Sequence, residues 1–173
     1  ASRIIHANVV QVLDLAEHEG ILFQVMEWVE GDSLRTLTNT LESKNERIPW
    51  PIAIRVVLDI AAGLHAAHEL RDDTGMPLHV VHRDVSPQNV MLGVDGSVRI
   101  SDFGIAKATG RLSTDTSKGH IKGKLRYMAP EQALGKPIDR RADIWSLGAI
   151  LYEQMTGRPL FDAPNGAALL HDL

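Results

Sequence analysis

Two apolar, β-branched runs open the chain, "VVQVLDL" at 9–15 and "ILFQVMEWV" at 21–29, separated by the polar "AEHEG". That pattern predicts a β-hairpin turning near Gly20. In "GDSLRTLTNTL" (31–41) the period changes. Asp32 and Ser33 offer a helix cap, and Leu34, Leu37 and Leu41 fall on one helical face. After a loop holding Pro49 and Pro51, "IAIRVVLDIAAGLHAAHEL" (52–70) is the longest helical pattern. It is apolar around most of its circumference, which predicts a buried helix. A polar loop (71–78) leads to short β-like runs at "HVVH" (79–82), "NVML" (89–92) and "SVRIS" (97–101), with "GVDG" as a tight turn between the last two. Residues 105–128 are polar and aperiodic, long for a structureless connection, which marks a functional or mobile segment. "ADIWSLGAILYEQMTG" (142–157) returns to helix, stopped by Gly157 and Pro159. The fold class read from this pattern is α+β: a few strands, then a mainly helical body.

Composition narrows the function classes. The 173 residues, 44% of them hydrophobic, suffice for one domain with a core. A net charge of -4 offers no basic surface, so no nucleic-acid partner is expected. With no cysteine, disulfides and thiolate metal sites are excluded. No apolar run approaches the roughly 18 residues of a membrane span. The expectation is a cytoplasmic domain without membrane contact in this segment; an anchor elsewhere stays open. Ala1 leads at once into apolar sequence and "NGAALLHDL" reads as a helix under way, so both ends read as cut.

Chemistry concentrates in "VHRDVSPQNV" (81–90), where Asp84 and Asn89 lie five positions apart between apolar flanks, with Asp102 following. All three are oxygen donors. Magnesium takes oxygen ligands, one or two from the protein and the rest from phosphate and water. A carboxylate beside such a site, free of the metal, can orient a hydroxyl and accept its proton. An acid, an amide and a second acid therefore suit phosphoryl transfer. Taken singly, each acid is an ordinary turn former. His65 and His68, three apart on the long helix without a third ligand, read as packing or surface positions.

"HRDVSPQN" (82–89), "DFG" (102–104), "APE" (129–131) and "DIWSLG" (143–148), in that order, resemble the signature set of the eukaryotic-type serine/threonine protein kinases. "VSPQN" and "GKLRYMAPEQ" look more like the bacterial members. One tripeptide is weak evidence; the ordered set is strong. The resemblance implies a truncated protein-kinase-like fold, with hinge-side strands of the small lobe and hinge over 1–29 and an incomplete large lobe over 30–173. It implies transfer of the γ-phosphate of ATP to Ser or Thr hydroxyls of protein substrates, with Mg2+, or Mn2+ in its place. Asp84 resembles the catalytic base, and Asn89 and Asp102 the metal ligands. Met26 resembles the gatekeeper; the backbones of Glu27 and Val29 would meet adenine, with Ser33 also on the nucleotide side and Met91 as the apolar floor. Arg83 resembles the arginine that pairs with a phosphorylated activation segment, for which Thr116 and Ser117 are the candidate acceptors. Asp143 resembles the helix acid that holds the catalytic-loop backbone.

Two positions depart from the family pattern. Ser86 stands where Ser/Thr-specific members usually carry lysine, and Lys124 where they usually carry threonine. The expectation is an exchange, in which Lys124 brings its charge to Asp84 and the γ-phosphate from the opposite side of the site. A pseudokinase acting as a binding or scaffold module is the alternative function, and small-molecule phosphotransferases lack the 102–131 pattern. The family's glycine-rich loop, ATP-contacting lysine and paired glutamate are not in the sequence. The 173 residues alone are expected neither to bind ATP well nor to transfer phosphate.

Overall fold

The structure, a computed structural model, describes residues 4–103 and 123–162. The predicted hairpin forms from β1 (Val12–His18) and β2 (Ile21–Met26), paired antiparallel from Val12↔Met26 to His18↔Ile21. Its turn is tighter than the polar stretch suggested. Glu19 and Gly20, at φ 51° and 76°, make a two-residue loop, whose backbone hand matches the strand twist. The "AEH" residues therefore extend β1. Leu13, Leu15, Phe23 and Val25 on this hairpin are exposed.

A second sheet places the loop of interest. Strands β3 (Gly31–Ser33), β4 (Val90–Gly93) and β5 (Val98–Ile100) pair antiparallel in the order β3-β4-β5. Residues 31–33, expected to begin a helix, thus form a strand first. Ser33 then caps α1 (Leu34–Ser43), its Oγ accepting the Thr36 N–H at 3.2 Å. The β4–β5 turn closes through Gly93 N–H to Ser97 O at 2.8 Å, with Gly96 at φ 81°. Val9 adds a parallel bridge to Ile100.

Helices α2 (Trp50–His68), α3 (Pro130–Ala133) and α4 (Arg141–Thr156) complete the described chain. α2 packs on α4 and β5 through Ala53, Val56, Ile60, Gly63, Leu64 and Ala67, an i, i+3/i+4 stripe. Ile52 and Leu58 are exposed. The burial expected around most of this helix is therefore corrected: its packing partners α4, β5 and residues 8–9 bury one stripe. By length and composition alone α2 is apolar enough to cross a membrane, with 19 residues at a hydropathy of 1.4, contrary to the reading that no run approached that length. Gly63 is required by packing, since a Cβ there would lie 2.6 Å from Asn8 O. Gly157, at φ 69°, ends α4 as predicted, its N–H bonding Glu153 O at 2.7 Å. "HVVH", expected to be β-like, is not a strand.

Candidate active site

The loop after residue 80 is irregular because a helix acid claims its backbone. Asp143, in the first turn of α4 and 1% exposed, accepts the N–H groups of His82 and Arg83, each at 2.9 Å. These are the donors a strand would have given to a neighbour. Arg83 sits in the left-handed region at φ 66°, a costly conformation that persists only where surroundings impose it. His68 of α2 completes the arrangement, its Nε2 lying 2.7 Å from the same carboxylate. The sequence reading made His68 a packing or surface position and missed this tie. His68 is indeed a packing position, its side chain 5% exposed, but its partner lies 75 positions away and could not be read from the i, i+3 spacing.

Asp84 and Asn89 are joined within the loop, since Asn89 Nδ2 donates to Asp84 O at 2.8 Å. That bond turns the amide so that its Oδ1 stays available. The turn between them is a 3-10 turn at Pro87–Asn89. Ser101 N–H donates to Asn89 O at 2.8 Å, which carries the β4–β5 pairing one step past its end. Asp102 therefore follows directly beside Asn89, exposed and at φ 60°. Asn89 is 5% exposed, so one of these oxygen donors is held inside the fold and the other is open. An amide oxygen and a carboxylate are hard donors that fit a divalent cation such as magnesium, with phosphate and water completing its shell.

Lys124 lies across from this loop. Its Nζ is 2.6 Å from Asp84 Oδ2, with side chains 38% and 19% exposed respectively. Ser86 is 1% exposed, and its Oγ has no hydrogen-bond partner among the described residues. The segment carrying Lys124 is anchored to α4, where Ser146 Oγ donates to Tyr127 O at 2.6 Å. Tyr127 Oη in turn donates to Glu153 at 2.5 Å and accepts from Arg35 of α1. Burial, with Glu153 beside it, pushes the Tyr127 phenol well up, so it stays protonated. Gln132 Nε2 reaches Arg83 O at 2.9 Å, tying the start of α3 to the loop. The Arg35–Tyr127–Glu153 cluster was not legible beforehand, because its members lie far apart in sequence.

His82 is fully buried behind Asp84. Burial lowers its basicity, against the opposing pull of Asp143, Ser101 O, Asp84 and Asp102. The neutral ring with a proton on Nε2 satisfies both contacts: Nε2 donates to Ser101 O at 2.8 Å, and Nδ1 accepts the Asp84 N–H at 3.3 Å. Phe103 packs on it at 4.5 Å between ring centroids. One side chain thus supports both Asp84 and the Asp102 turn.

Of the residues expected on the nucleotide side, Met26 ends β2 and is 37% exposed, and Val29 is buried. The Glu27 side chain is committed elsewhere, accepting from Arg99 at 2.6 Å and from the Gln11 N–H at 2.7 Å. Ser33 and Met91 are register partners in the β3–β4 pair. Ser33 spends its hydroxyl on the α1 cap. Arg83 is exposed and forms no ion pair among the described residues. Thr116 and Ser117 lie outside the described residues, as does Gly104.

Comparison with known proteins shows the family. A family model described as the protein kinase domain matches residues 1–172. The chain is 46% identical over its whole length to the tyrosine-protein kinase MasK of Myxococcus xanthus, covering 27% of that protein. It is 38% identical to a probable serine/threonine-protein kinase of Clostridium acetobutylicum, with 99% of this chain and 24% of the relative covered. It is 35% identical to the serine/threonine-protein kinase PknB of Mycobacterium leprae, with 99% and 26% covered. The chain spans about a quarter of the length of these curated relatives. The order of the motifs, the loop held by Asp143 and the match along the whole sequence make the chain a member of the protein kinase domain family, with bacterial serine/threonine kinases among its relatives.

Proposed function

We propose that the protein containing this chain transfers the γ-phosphate of ATP to Ser or Thr hydroxyls of protein substrates in the cytoplasm. The observation that carries this reading is the tie between Asp84 and Asn89, Asn89 Nδ2 to Asp84 O at 2.8 Å, with Asp102 placed next in sequence to Ser101, whose N–H bonds Asn89 O at 2.8 Å. Asp84 accepts the proton of the attacking hydroxyl, whose oxygen forms a bond to the γ-phosphorus as the bond to the ADP oxygen breaks. Asn89 and Asp102 would hold a divalent cation, Mg2+ or Mn2+, which would neutralise phosphate charge when bound. The backbones of Glu27 and Val29 meet adenine beside Met26, with Ser33 at the nucleotide edge and Met91 beneath the ring. Arg83 receives a phosphate placed on Thr116 or Ser117. Residues 1–29 act as the hinge-side remnant of the small lobe and 30–173 as part of the large lobe.

A second acceptor class is favoured by one finding, the 46% identity to a protein named a tyrosine kinase. Incubating the full-length protein with γ-labelled ATP and Mg2+, followed by phosphoamino-acid analysis, separates the readings. Labelled phosphoserine or phosphothreonine is expected. Phosphotyrosine alone would select the second reading. No label on protein would overturn both and leave a binding module.

A further inference from the structure

The ammonium nearest the base comes from outside the loop that carries the base. Lys124 reaches Asp84 across 40 positions of sequence, at 2.6 Å. Inside the loop, two residues after Asp84, stands a buried serine whose hydroxyl has no partner among the described residues. No other lysine or arginine side chain is hydrogen-bonded to Asp84 among the described residues. The charge at the reacting centre is therefore supplied by the segment that leads into α3.

Resting on the phosphotransfer reading above, we propose that Lys124 is a catalytic residue, whose ammonium is the counter-ion first of Asp84 and then of the transferred phosphoryl group. As the acceptor oxygen bonds to the γ-phosphorus and ADP departs with the bridging oxygen's electron pair, Asp84 takes the hydroxyl proton and loses its negative charge. The Lys124 ammonium keeps its own proton throughout. Its pairing partner is neutralised just as charge shifts over the phosphoryl oxygens a few ångströms away. A pre-placed cation at that point stabilises the transition state more than the ground state. Such a role needs a rigid mount, and the structure supplies one. Lys124 O accepts the Tyr127 N–H at 3.2 Å. Tyr127 is fixed to α4 through Ser146 and Glu153 and to α1 through Arg35. The mount lies outside the Asp84 loop, so catalytic charge and catalytic base are brought together only when the segment 123–129 is docked on α4.

The test is a four-member cycle in the full-length protein: wild type, Lys124→Thr, Ser86→Lys and the double variant. Lys124→Thr is expected to lower kcat by about 100-fold, the range for removing one such stabilising group, with the KM for ATP and the melting temperature nearly unchanged. Binding of ADP, Mg2+ and aluminium fluoride, a mimic of the phosphoryl group in transit, should weaken by a similar factor while ADP alone binds as before. Ser86→Lys alone crowds two ammonium groups and should lower kcat. In the double variant, kcat should recover at least about tenfold over Lys124→Thr, because a lysine two residues after Asp84 returns one cation to the neighbourhood of its carboxylate. A double variant that folds but is no faster than Lys124→Thr overturns the proposal. If Ser86→Lys prevents folding, Lys124→Thr decides alone, and a kcat within about threefold of wild type overturns it. A wild type without transferase activity would instead refute the phosphotransfer reading itself.

Discussion

His68 on α2 and Asp143 on α4 meet at 2.7 Å, with side chains 5% and 1% exposed, so two helices hold the backbone of the Asp84 loop through one shared carboxylate. The Asp143 oxygens also carry the His82 and Arg83 N–H groups. Removing the imidazole leaves the carboxylate short of one donor without touching the loop itself. His68→Ala should cost about 1–3 kcal/mol of stability, the range for an unmet buried polar group. It should also lower kcat while KM for ATP stays near wild type. Chemical denaturation and steady-state kinetics on the full-length protein check the two parts.

Acid sensitivity follows from His82. Its pKa is lowered from 6.5 in the folded state, chiefly by burial. Below about 6.5 the unfolded chain takes up a proton on this histidine while the folded chain does not. The contribution of His82 to stability is present above that pH and is lost as pH falls through the lowered folded value. The melting temperature should drop between pH 7.5 and 5.5, and His82→Gln should make that dependence shallower. An equally steep slope in the variant would show that other groups set it.

Gly63 sets two effects against each other. Alanine is a better helix former than glycine by about 1 kcal/mol, yet its Cβ would lie 2.6 Å from Asn8 O, a backbone atom. Overpacking of this kind costs about 1–3 kcal/mol, and the segment at Asn8 is also pinned to β5 by Ile100 N–H and by Val98 O. Gly63→Ala should therefore destabilise, read as a lower midpoint of denaturation.

Tyr127→Phe keeps the ring in the core but removes the hydroxyl that links Arg35 to Glu153. Glu153, 4% exposed, would lose its strongest donor and retain the Arg35 contact at 3.4 Å. A loss of about 1–3 kcal/mol is expected. Because Tyr127 also mounts Lys124, kcat should fall by more than the unfolded fraction explains, which activity measured well below the melting temperature checks.

Much of this was written in local sequence. The α4 pattern and its Gly157 stop, the β4–β5 turn and the ordered motifs are carried by neighbouring residues, so periodicity and turn chemistry reveal them. What escaped depends on partners distant along the chain. Residues 31–33 look like a helix start, and only the presence of β4 makes them a strand. "HVVH" has strand-forming residues, but Asp143, some sixty positions later, takes the N–H groups of His82 and Arg83. α2 reads as apolar around most of its circumference, and only the one-sided placement of α4 and β5 shows which stripe is buried. His68 was hidden for the same reason: its partner is 75 positions away.

In the proposed phosphoryl transfer Asp84 accepts the substrate proton. Asp84→Asn preserves shape and leaves the Asn89 Nδ2 bond intact, since that bond is made to the Asp84 main-chain oxygen. Transfer of labelled γ-phosphate from ATP to protein Ser or Thr, measured for the wild-type and Asp84→Asn full-length proteins, is the most direct test. Transfer by the wild type and a loss of about 100-fold or more in kcat for the variant are expected, with nucleotide binding and melting temperature retained. A variant that transfers phosphate at the wild-type rate would contradict this role of Asp84.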